Sequence, residues 1–147
     1  CKVLDAQWLG VPQCRQRTIF IGVCDDIGID PVHPKPLPYS YSVKDALPWI
    51  EKIQSGSFCS EWMDSKNTMG TIVQSDGTRN HRSQCESSGQ KRKFTISELK
   101  RICGFPDDFV LTGTYAQQWE RLGRAVPPVM MAHIAQAIRK NILEKIQ

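Results

Sequence analysis

The stretch of sequence that organises the chain lies close to the N-terminus and reads Val11-Pro12-Gln13-Cys14-Arg15-Gln16-Arg17. Alternate residues of an extended backbone point to the same side, so Gln13, Arg15 and Arg17 are predicted to share one face. The planar guanidinium of arginine holds a phosphate or a base carbonyl through two parallel hydrogen bonds and stays charged at physiological pH. The pattern therefore indicates an anion or nucleobase contact. The alternative is a strand edge whose arginines pair with nearby carboxylates.

The segments on either side of this stretch are typical of extended chain. β-forming residues fill positions 18–23, and a turn signal at residues 10–12 leads into the stretch. We therefore predict a strand, a loop and a second strand across residues 2–23, with residues 18–23 buried. Cys14 stands next to Arg15 and three residues before Arg17, which predicts a lowered pKa for its thiol, although an incidental thiol is the simpler interpretation.

Composition indicates a globular protein without disulfides or a metal. The length of 147 residues suits one domain. The six cysteines form no Cys-x-x-Cys pair, and the three histidines have no zinc-ligand spacing from them, so reduced thiols are expected. The sequence has no signal peptide and no apolar run long enough to span a membrane, which predicts a cytosolic protein. Because the chain begins at Cys1, we interpret it as a piece of a longer protein or one part of a split one.

The net charge of +4 is unevenly distributed along the chain. Residues 79–101 contain two acidic side chains, Glu86 and Glu98. The basic side chains of the same stretch are Arg79, Arg82, Lys91, Arg92, Lys93, Lys100 and Arg101. A concentrated basic stretch is typical of a protein that binds a polyanion, and its alternative is a solvated loop without a partner.

Local signals divide the middle of the chain. Four prolines within residues 31–38 predict an extended connector. Ser42 with Asp45 predicts a short helix, and Thr95 with Glu98 predicts a longer one that ends at Gly104. Between them, a strand is predicted at residues 70–74, followed by a turn at residues 76–77.

Two more helices are predicted near the C-terminal end. Thr114 begins the first and Gly123 ends it, while Trp119 and Leu122 face inward. Pro128 opens the last helix, because proline is tolerated where the first amides are unpaired. The apolar stripe of this helix, expected to be core or a docking surface, comprises Met131, Ile134, Ala135, Ile138 and Ile142.

Three segments match the motifs of one enzyme family in the family's order. The first comprises Val3-Leu4-Asp5-Ala6, Gly10-Val11-Pro12-Gln13, Arg15, Arg17 and Ile19-Phe20-Ile21-Gly22. The second comprises Arg92-Lys93-Phe94-Thr95, Glu98 and Gly104-Phe105-Pro106-Asp107-Asp108-Phe109. The third comprises Gly113-Thr114 and Leu122-Gly123-Arg124-Ala125-Val126-Pro127-Pro128. They resemble the eighth, ninth and tenth motifs of the DNA cytosine-5 methyltransferases.

The resemblance implies an α/β fold, in which the chain is the C-terminal part of an S-adenosylmethionine-dependent methyltransferase with a Rossmann-like large domain and a small, irregular target-recognition domain. Residues 1–24 would form a strand-loop-strand unit of the catalytic domain. Residues 25–113 would form the target-recognition domain, including the ninth motif at residues 91–109. Residues 114–147 would hold the tenth motif and a C-terminal helix that returns to the catalytic domain.

The implied reaction is transfer of a methyl group from S-adenosylmethionine to carbon 5 of a flipped cytosine in DNA. Arg17 would contact the base carbonyl and Arg15 would supply supporting contacts, with Gln13 as the third member of this catalytic set. The family's nucleophile lies in a Pro-Cys dipeptide, which these 147 residues lack, so the chain alone is predicted to be inactive. The predicted DNA contacts are Arg79, Arg82, Lys91, Arg92 and Lys93.

The implied cofactor contacts are Arg124, Ala125 and Val126, where Arg124 replaces the asparagine usual in the tenth motif. Ser97 likewise replaces an arginine usual in the ninth. The expected partners are double-stranded DNA and an N-terminal catalytic half, with no metal and no membrane. Restriction-modification in a prokaryotic or phage cytoplasm is the expected setting, or a nucleus in a eukaryote. A non-catalytic DNA-binding remnant and the specificity subunit of a split enzyme are the alternatives.

Overall fold

The computed structural model describes residues 1–57, 61–75 and 81–146, with backbone alone for residues 55–57, 81 and 82. Short strands and helices are joined by long irregular connections. The strands are β1 (Lys2–Asp5), β2 (Gln16–Ile19), β3 (Lys52–Ser57), β4 (Met63–Asp64), β5 (His81–Ser87) and β6 (Gln90–Lys93). The α-helices are α1 (Val43–Ala46), α2 (Ile96–Ile102), α3 (Tyr115–Arg124) and α4 (Pro128–Asn141). Single 3-10 turns lie at Ala6–Trp8, Asp25–Ile27 and Leu143–Lys145.

The described strands form two antiparallel sheets. In the first, β1 pairs with β2, so that Leu4 lies opposite Arg17. The second has the strand order β4-β3-β5-β6. This mixture of helix and sheet agrees with the predicted α/β class, whereas the Rossmann-like large domain stays a prediction.

Two strand predictions are wrong. The buried strand predicted at residues 18–23 ends at Ile19, which pairs with Lys2 at the start of β1, so the following residues have no ladder partner in this sheet. Phe20 is accordingly 79% exposed. The segment predicted as a strand at residues 70–74 follows an isolated bridge between Gln13 and Met69 and is then held by side-chain hydrogen bonds rather than by a ladder. The turn predicted at residues 76–77 lies outside the described residues.

Two apolar cores hold these elements together. The larger one unites α1, the four-stranded sheet, α2 and α3, and its buried members include Ile53, Leu99 and Trp119. The smaller one joins the N-terminal segment to α4 and consists of Leu4, Ala6, Leu9, Val11, Met130 and Ile134. Toward the C-terminus, the chain therefore passes from the larger core to the smaller one between α3 and α4. The division into domains at residues 24 and 113 stays a prediction.

Capping boxes begin three of the described helices at the positions that the sequence predicts. Each cap side chain accepts a hydrogen bond from the amide three residues later, and that residue's side chain accepts one from the cap amide. The three pairs are Ser42 with Asp45, Thr95 with Glu98, and Thr114 with Gln117. Gly104 follows α2 with a φ of +71°, a left-handed conformation that favours glycine at this position.

The apolar stripe predicted for α4 is only partly right. Ile134 is buried, but Met131 is 44% exposed, and the buried side of the helix continues through Met130 and Ala137 instead. The packing partner explains the difference, because α4 lies against the small N-terminal core and turns Met130 toward it. The sequence contains apolar residues on both sides of this helix, so periodicity alone could not choose between them.

Gly123 does not end α3, which continues to Arg124. Its role is a close approach between backbones. A Cβ atom at Gly123 would lie 2.3 Å from the carbonyl oxygen of Val73 and 2.6 Å from the amide nitrogen of Gln74. Only glycine therefore allows α3 to pack this closely on the segment at residues 71–75.

Candidate functional site

The three polar residues of the opening stretch alternate toward the interior. Gln13 and Arg15 are each 1% exposed and Arg17 is half-buried, whereas Gln16 between the two arginines is exposed. The short antiparallel ladder of β1 and β2 fixes this alternation, because it sets the backbone of Gln16 and Arg17 in extended conformation. The predicted common face is thus present, but its members lie at very different depths.

Arg15 is a buried side chain that joins the N-terminal segment to two distant parts of the chain. Its Nη1 atom donates to the carbonyl oxygen of Ile72 at 3.0 Å, and its Nη2 atom donates to the carbonyl oxygen of Gly123 at 2.7 Å. The Nε atom is buried and has no hydrogen-bond partner among the described residues. Burial lowers the pKa of Arg15, and the positive charge of Arg17 lowers it further. Within the described part of the chain, the charge of Arg15 is therefore compensated by carbonyl dipoles and not by a carboxylate.

Gln13 ties the same segment to α2. Its Oε1 atom accepts a hydrogen bond of 2.9 Å from the amide of Ile72, and its Nε2 atom donates to the sulfur of Cys103 at 3.6 Å. Burial raises the pKa of the Cys103 thiol to about 12, so the sulfur is neutral. Gln13 and Arg15 together fasten the N-terminal stretch, residues 69–73, α2 and α3 to one another. Neither side chain is accessible to a substrate as it stands.

Arg17 is the arginine that reaches an open surface. Its Nη1 atom donates to the carbonyl oxygen of Gln16 at 2.6 Å, and no carboxylate among the described residues forms an ion pair with it. It borders a cleft of about 490 Å³, hereafter the arginine cleft. The residues that line this cleft are Arg15, Arg17, Thr71, Val73, Gln74, Ser75, Gly123 and Arg124. Three arginines thus line a space whose described lining has no acidic residue.

The prediction that two arginines lower the pKa of Cys14 is wrong. Burial raises the pKa of this thiol, and the negative charge of Asp5 raises it further. The thiol instead donates to the side-chain oxygen of Gln7 at 3.3 Å. Arg15 points away into the interior, so its charge is not available to stabilise a Cys14 thiolate.

The residues predicted to contact DNA have different surroundings, and the structure does not describe all of their side chains. Arg92 binds Glu98 through two parallel hydrogen bonds of 2.8 and 2.7 Å. Lys91 lies over the ring of Trp62 at 4.9 Å, a cation–π contact on the four-stranded sheet. Lys93 follows on the same strand, β6. Arg79 lies outside the described residues, and Arg82 is described only by its backbone in β5.

Glu98 is the centre of a buried polar cluster that joins α2 to the sheet. Its carboxylate accepts hydrogen bonds from Arg92, from the indole of Trp49 at 2.9 Å and from the amide and hydroxyl of Thr95. Burial alone would raise the pKa of Glu98, but these hydrogen bonds outweigh it and hold the pKa at about 2. The hydrogen bonds between Arg92 and Glu98 raise the pKa of Arg92. Arg92 therefore has a structural role in this cluster, which does not favour its predicted contact with DNA.

The three residues predicted to bind the cofactor lie at the C-terminal end of α3. Arg124 forms an ion pair of 2.7 Å with Glu120 and donates from Nε to the side-chain oxygen of Gln74 at 3.1 Å. Ala125 is half-buried and Val126 is 37% exposed. The guanidinium of Arg124 thus borders the arginine cleft together with Arg17, a proximity that the sequence did not predict.

A second, larger groove of about 620 Å³ carries little polar chemistry. Its lining is mostly apolar and includes Pro12, Phe105, Val129 and Ala132. The charged residues at its border already have partners, since Asp45 caps α1 and Arg101 pairs with Asp107. We therefore take the arginine cleft, and not this groove, as the candidate site.

The part of the chain that the structure describes has no group of three or more histidine, cysteine, aspartate or glutamate residues that could hold a metal ion. None of the described helices combines the length and apolar character needed to cross a membrane.

Comparisons with known proteins agree with the motifs. A family model described as C-5 cytosine-specific DNA methylase matches residues 38–140. The type II methyltransferase M1.HphI of Haemophilus parahaemolyticus is 32% identical over 95% of this chain and 47% of its own length. The type II methyltransferase M.MthTI of Methanothermobacter thermautotrophicus is 26% identical over 96% of this chain and 56% of its own length. The chain therefore spans about half the length of these curated relatives.

Proposed function

The chain belongs to the C-5 cytosine-specific DNA methylase family, and from that premise we propose that it is the part of a DNA cytosine-5 methyltransferase that holds DNA and positions the target base. The proposed reaction of the whole protein is transfer of a methyl group to carbon 5 of cytosine. The proposed partners of this chain are double-stranded DNA and an N-terminal half that supplies the nucleophile.

One observation carries this proposal. Arg17 borders an open cleft, has no carboxylate partner among the described residues, and stands directly beside a buried arginine. A guanidinium that is not neutralised at short range suits a group that develops negative charge during a reaction. The buried hydrogen bonds of Arg15 and Gln13 would keep the backbone of this segment fixed while Arg17 acts.

The chemistry explains why an arginine is needed there. Carbon 5 of cytosine is a weak nucleophile, and the family's cysteine thiolate adds to carbon 6 so that carbon 5 becomes electron-rich. S-adenosylmethionine supplies the methyl group when it is bound. In our proposal Arg17 contacts the carbonyl of the flipped base and offsets the charge that develops on the ring. Arg15 acts as a positioning residue behind it.

The residues predicted for the cofactor do not form a complete site. The guanidinium of Arg124 already binds Glu120 and Gln74, and Arg124 lines the arginine cleft. Ala125 and Val126 offer an apolar surface and no charged group. We therefore expect most contacts to the cofactor to come from the N-terminal half.

We propose that residues 25–113, with β3 to β6, choose the DNA sequence, as the resemblance implies. The cluster of Glu98, Arg92 and Trp49 would brace this region, and Lys91 and Lys93 would face the phosphate backbone. In the alternative of a split enzyme, this chain would be the specificity subunit. The activity would be the same, with the two halves of the enzyme on separate chains.

Reconstitution tests this function. The chain is mixed with an N-terminal half that carries the Pro-Cys dipeptide and the glycine-rich cofactor loop of the family, and methylation of duplex DNA is followed with labelled cofactor. We expect label on cytosine from the mixture and none from either half. Label transferred by the chain alone would contradict the need for an external nucleophile. No label from a mixture that binds DNA would favour the non-catalytic remnant.

A further inference from the structure

We propose that Arg124 contacts a DNA phosphate in the arginine cleft and acts there together with Arg17. This inference rests on the proposed function, because it takes DNA as the ligand. It gives a role to the residue that replaces the asparagine usual in the tenth motif. It also assigns that residue to DNA binding instead of to the cofactor contact that the resemblance implies.

The lining of the cleft suits a phosphodiester. Arg17 lies on the N-terminal segment and Arg124 at the end of α3, so the two guanidinium groups come from opposite ends of the chain. The remaining polar lining is neutral and consists of Thr71, Ser75 and Gln74. The hydroxyl of Thr71 already donates to the carbonyl oxygen of Cys14, so Ser75 and the amide nitrogen of Gln74 are the neutral donors that could complete a phosphate site. Guanidinium groups bind phosphate through parallel hydrogen bonds, and neutral donors complete such sites.

The present contacts of Arg124 are easily exchanged. Its ion pair with Glu120 connects residues one helical turn apart, and the two side chains are 66% and 43% exposed. Exposed pairs of this kind are weak, because water screens them and both side chains keep alternative conformations. A phosphate that accepts two parallel hydrogen bonds from a guanidinium forms a stronger contact than an exposed ion pair made through one atom of each partner. Glu120 would therefore hold Arg124 in place until DNA arrives.

The buried charge of Arg15 adds to this attraction. Arg15 is 1% exposed, lines the same cleft, and has no carboxylate of the described residues bonded to its guanidinium. Its Nε atom has no hydrogen-bond partner in the described structure. A positive charge below the floor of the cleft is poorly screened by solvent, so it raises the local potential for an anion.

Salt-dependent DNA binding by the chain tests the role of Arg124. The Arg124→Gln variant should bind duplex DNA less tightly, and the slope of log affinity against log salt should fall by about 0.9 for the one lost phosphate contact. The Glu120→Gln variant releases Arg124 and should bind duplex DNA more tightly than the wild type. The matched control is Arg121→Gln, which removes the same charge from the same helix, where Arg121 bonds to Thr112. Its slope should equal that of the wild type.

The outcomes separate this inference from the function on which it rests. A wild-type chain that does not bind duplex DNA would contradict the proposed function itself. A wild-type chain that binds, with an Arg124→Gln variant of unchanged slope, would overturn the role of Arg124 alone. An Arg124→Gln variant that loses cofactor affinity in the reconstituted complex, with an unchanged salt slope, would assign Arg124 to the cofactor carboxylate and also overturn it.

Discussion

The guanidinium of Arg15 donates a hydrogen bond of 2.7 Å to the carbonyl oxygen of Gly123, a residue 108 positions later in the chain. This bond joins the eighth-motif segment to the tenth-motif helix inside the protein. The second hydrogen bond of Arg15, to the carbonyl oxygen of Ile72, attaches the middle of the chain to the same two segments. The arginine cleft is therefore built by three segments that only the fold brings together.

Replacing Arg15 with lysine should destabilise the chain. Lysine keeps the positive charge but lacks the planar fork that reaches two carbonyl oxygens at once. A hydrogen bond to a charged group contributes about 1.5–3 kcal/mol, so the free energy of unfolding should fall by about that amount. Urea denaturation measures the loss. The matched control, Arg17→Lys, should stay within about 0.5 kcal/mol of the wild type, and equal losses in the two variants would contradict a buried structural role for Arg15.

Replacing Gly123 with alanine should also destabilise the chain, although helix propensity predicts the opposite. Alanine is favoured over glycine within a helix by about 1 kcal/mol. At Gly123, however, the added Cβ would lie 2.3 Å from the backbone oxygen of Val73. Overpacking of this kind costs about 1–3 kcal/mol. Gly22→Ala is the control, since nothing lies within 4 Å of a Cβ added there; a more stable Gly123→Ala variant would refute the close approach.

The buried carboxylate of Glu98 should make stability depend on pH. Its pKa falls from an ordinary value of 4.5 to about 2 in the folded chain. A depressed pKa means that the ionised group stabilises the fold above pH 4.5, and that this stabilisation is lost as the pH falls toward 2. Glu98→Gln should cost about 1.5–3 kcal/mol near neutral pH and should flatten the pH dependence within this window. The exposed Glu144, paired with Arg139, provides the control variant Glu144→Gln, which should leave the wild-type curve in place.

Neutralising Lys91 and Lys93 together should weaken binding to duplex DNA of any sequence. If both contact phosphates, the Lys91→Gln/Lys93→Gln variant should lose about 1.8 from the slope of log affinity against log salt. Arg92 is left unchanged because its loss would disturb Glu98. The control removes the same charge from the C-terminal end by changing Lys140 and Lys145 to glutamine. An equal decrease of the salt slope in both variants would indicate a general charge effect and no contact between β6 and DNA.

The sequence alone was sufficient to predict local features of the structure and the family. Capping pairs such as Thr95 with Glu98 depend on neighbouring residues, so their spacing predicted the helix starts correctly. The alternation of Gln13, Arg15 and Arg17 was likewise visible, because it follows from extended backbone. These features require no knowledge of the rest of the fold.

Features that depend on distant packing were not predictable in this way. Nothing local distinguishes Arg15 from Arg17, yet one bonds to Ile72 and Gly123 inside the protein while the other borders a cleft. The buried side of α4 was misassigned at Met131, because the small N-terminal core decides which side is covered. Gly123 was interpreted as a helix end because a close approach to Val73 leaves no trace in the nearby sequence.

The central claim is that Arg17 acts on the target base, and turnover of the reconstituted complex tests it most directly. Arg17→Ala should reduce the rate of cytosine methylation about ten- to a hundredfold, since a charge-assisted hydrogen bond contributes about 1.5–3 kcal/mol. The free energy of unfolding should change little, because among the described residues Arg17 bonds only to the neighbouring backbone of Gln16. The loss of turnover should exceed any loss of DNA affinity. An unchanged methylation rate in a folded Arg17→Ala complex that still binds DNA would contradict the account.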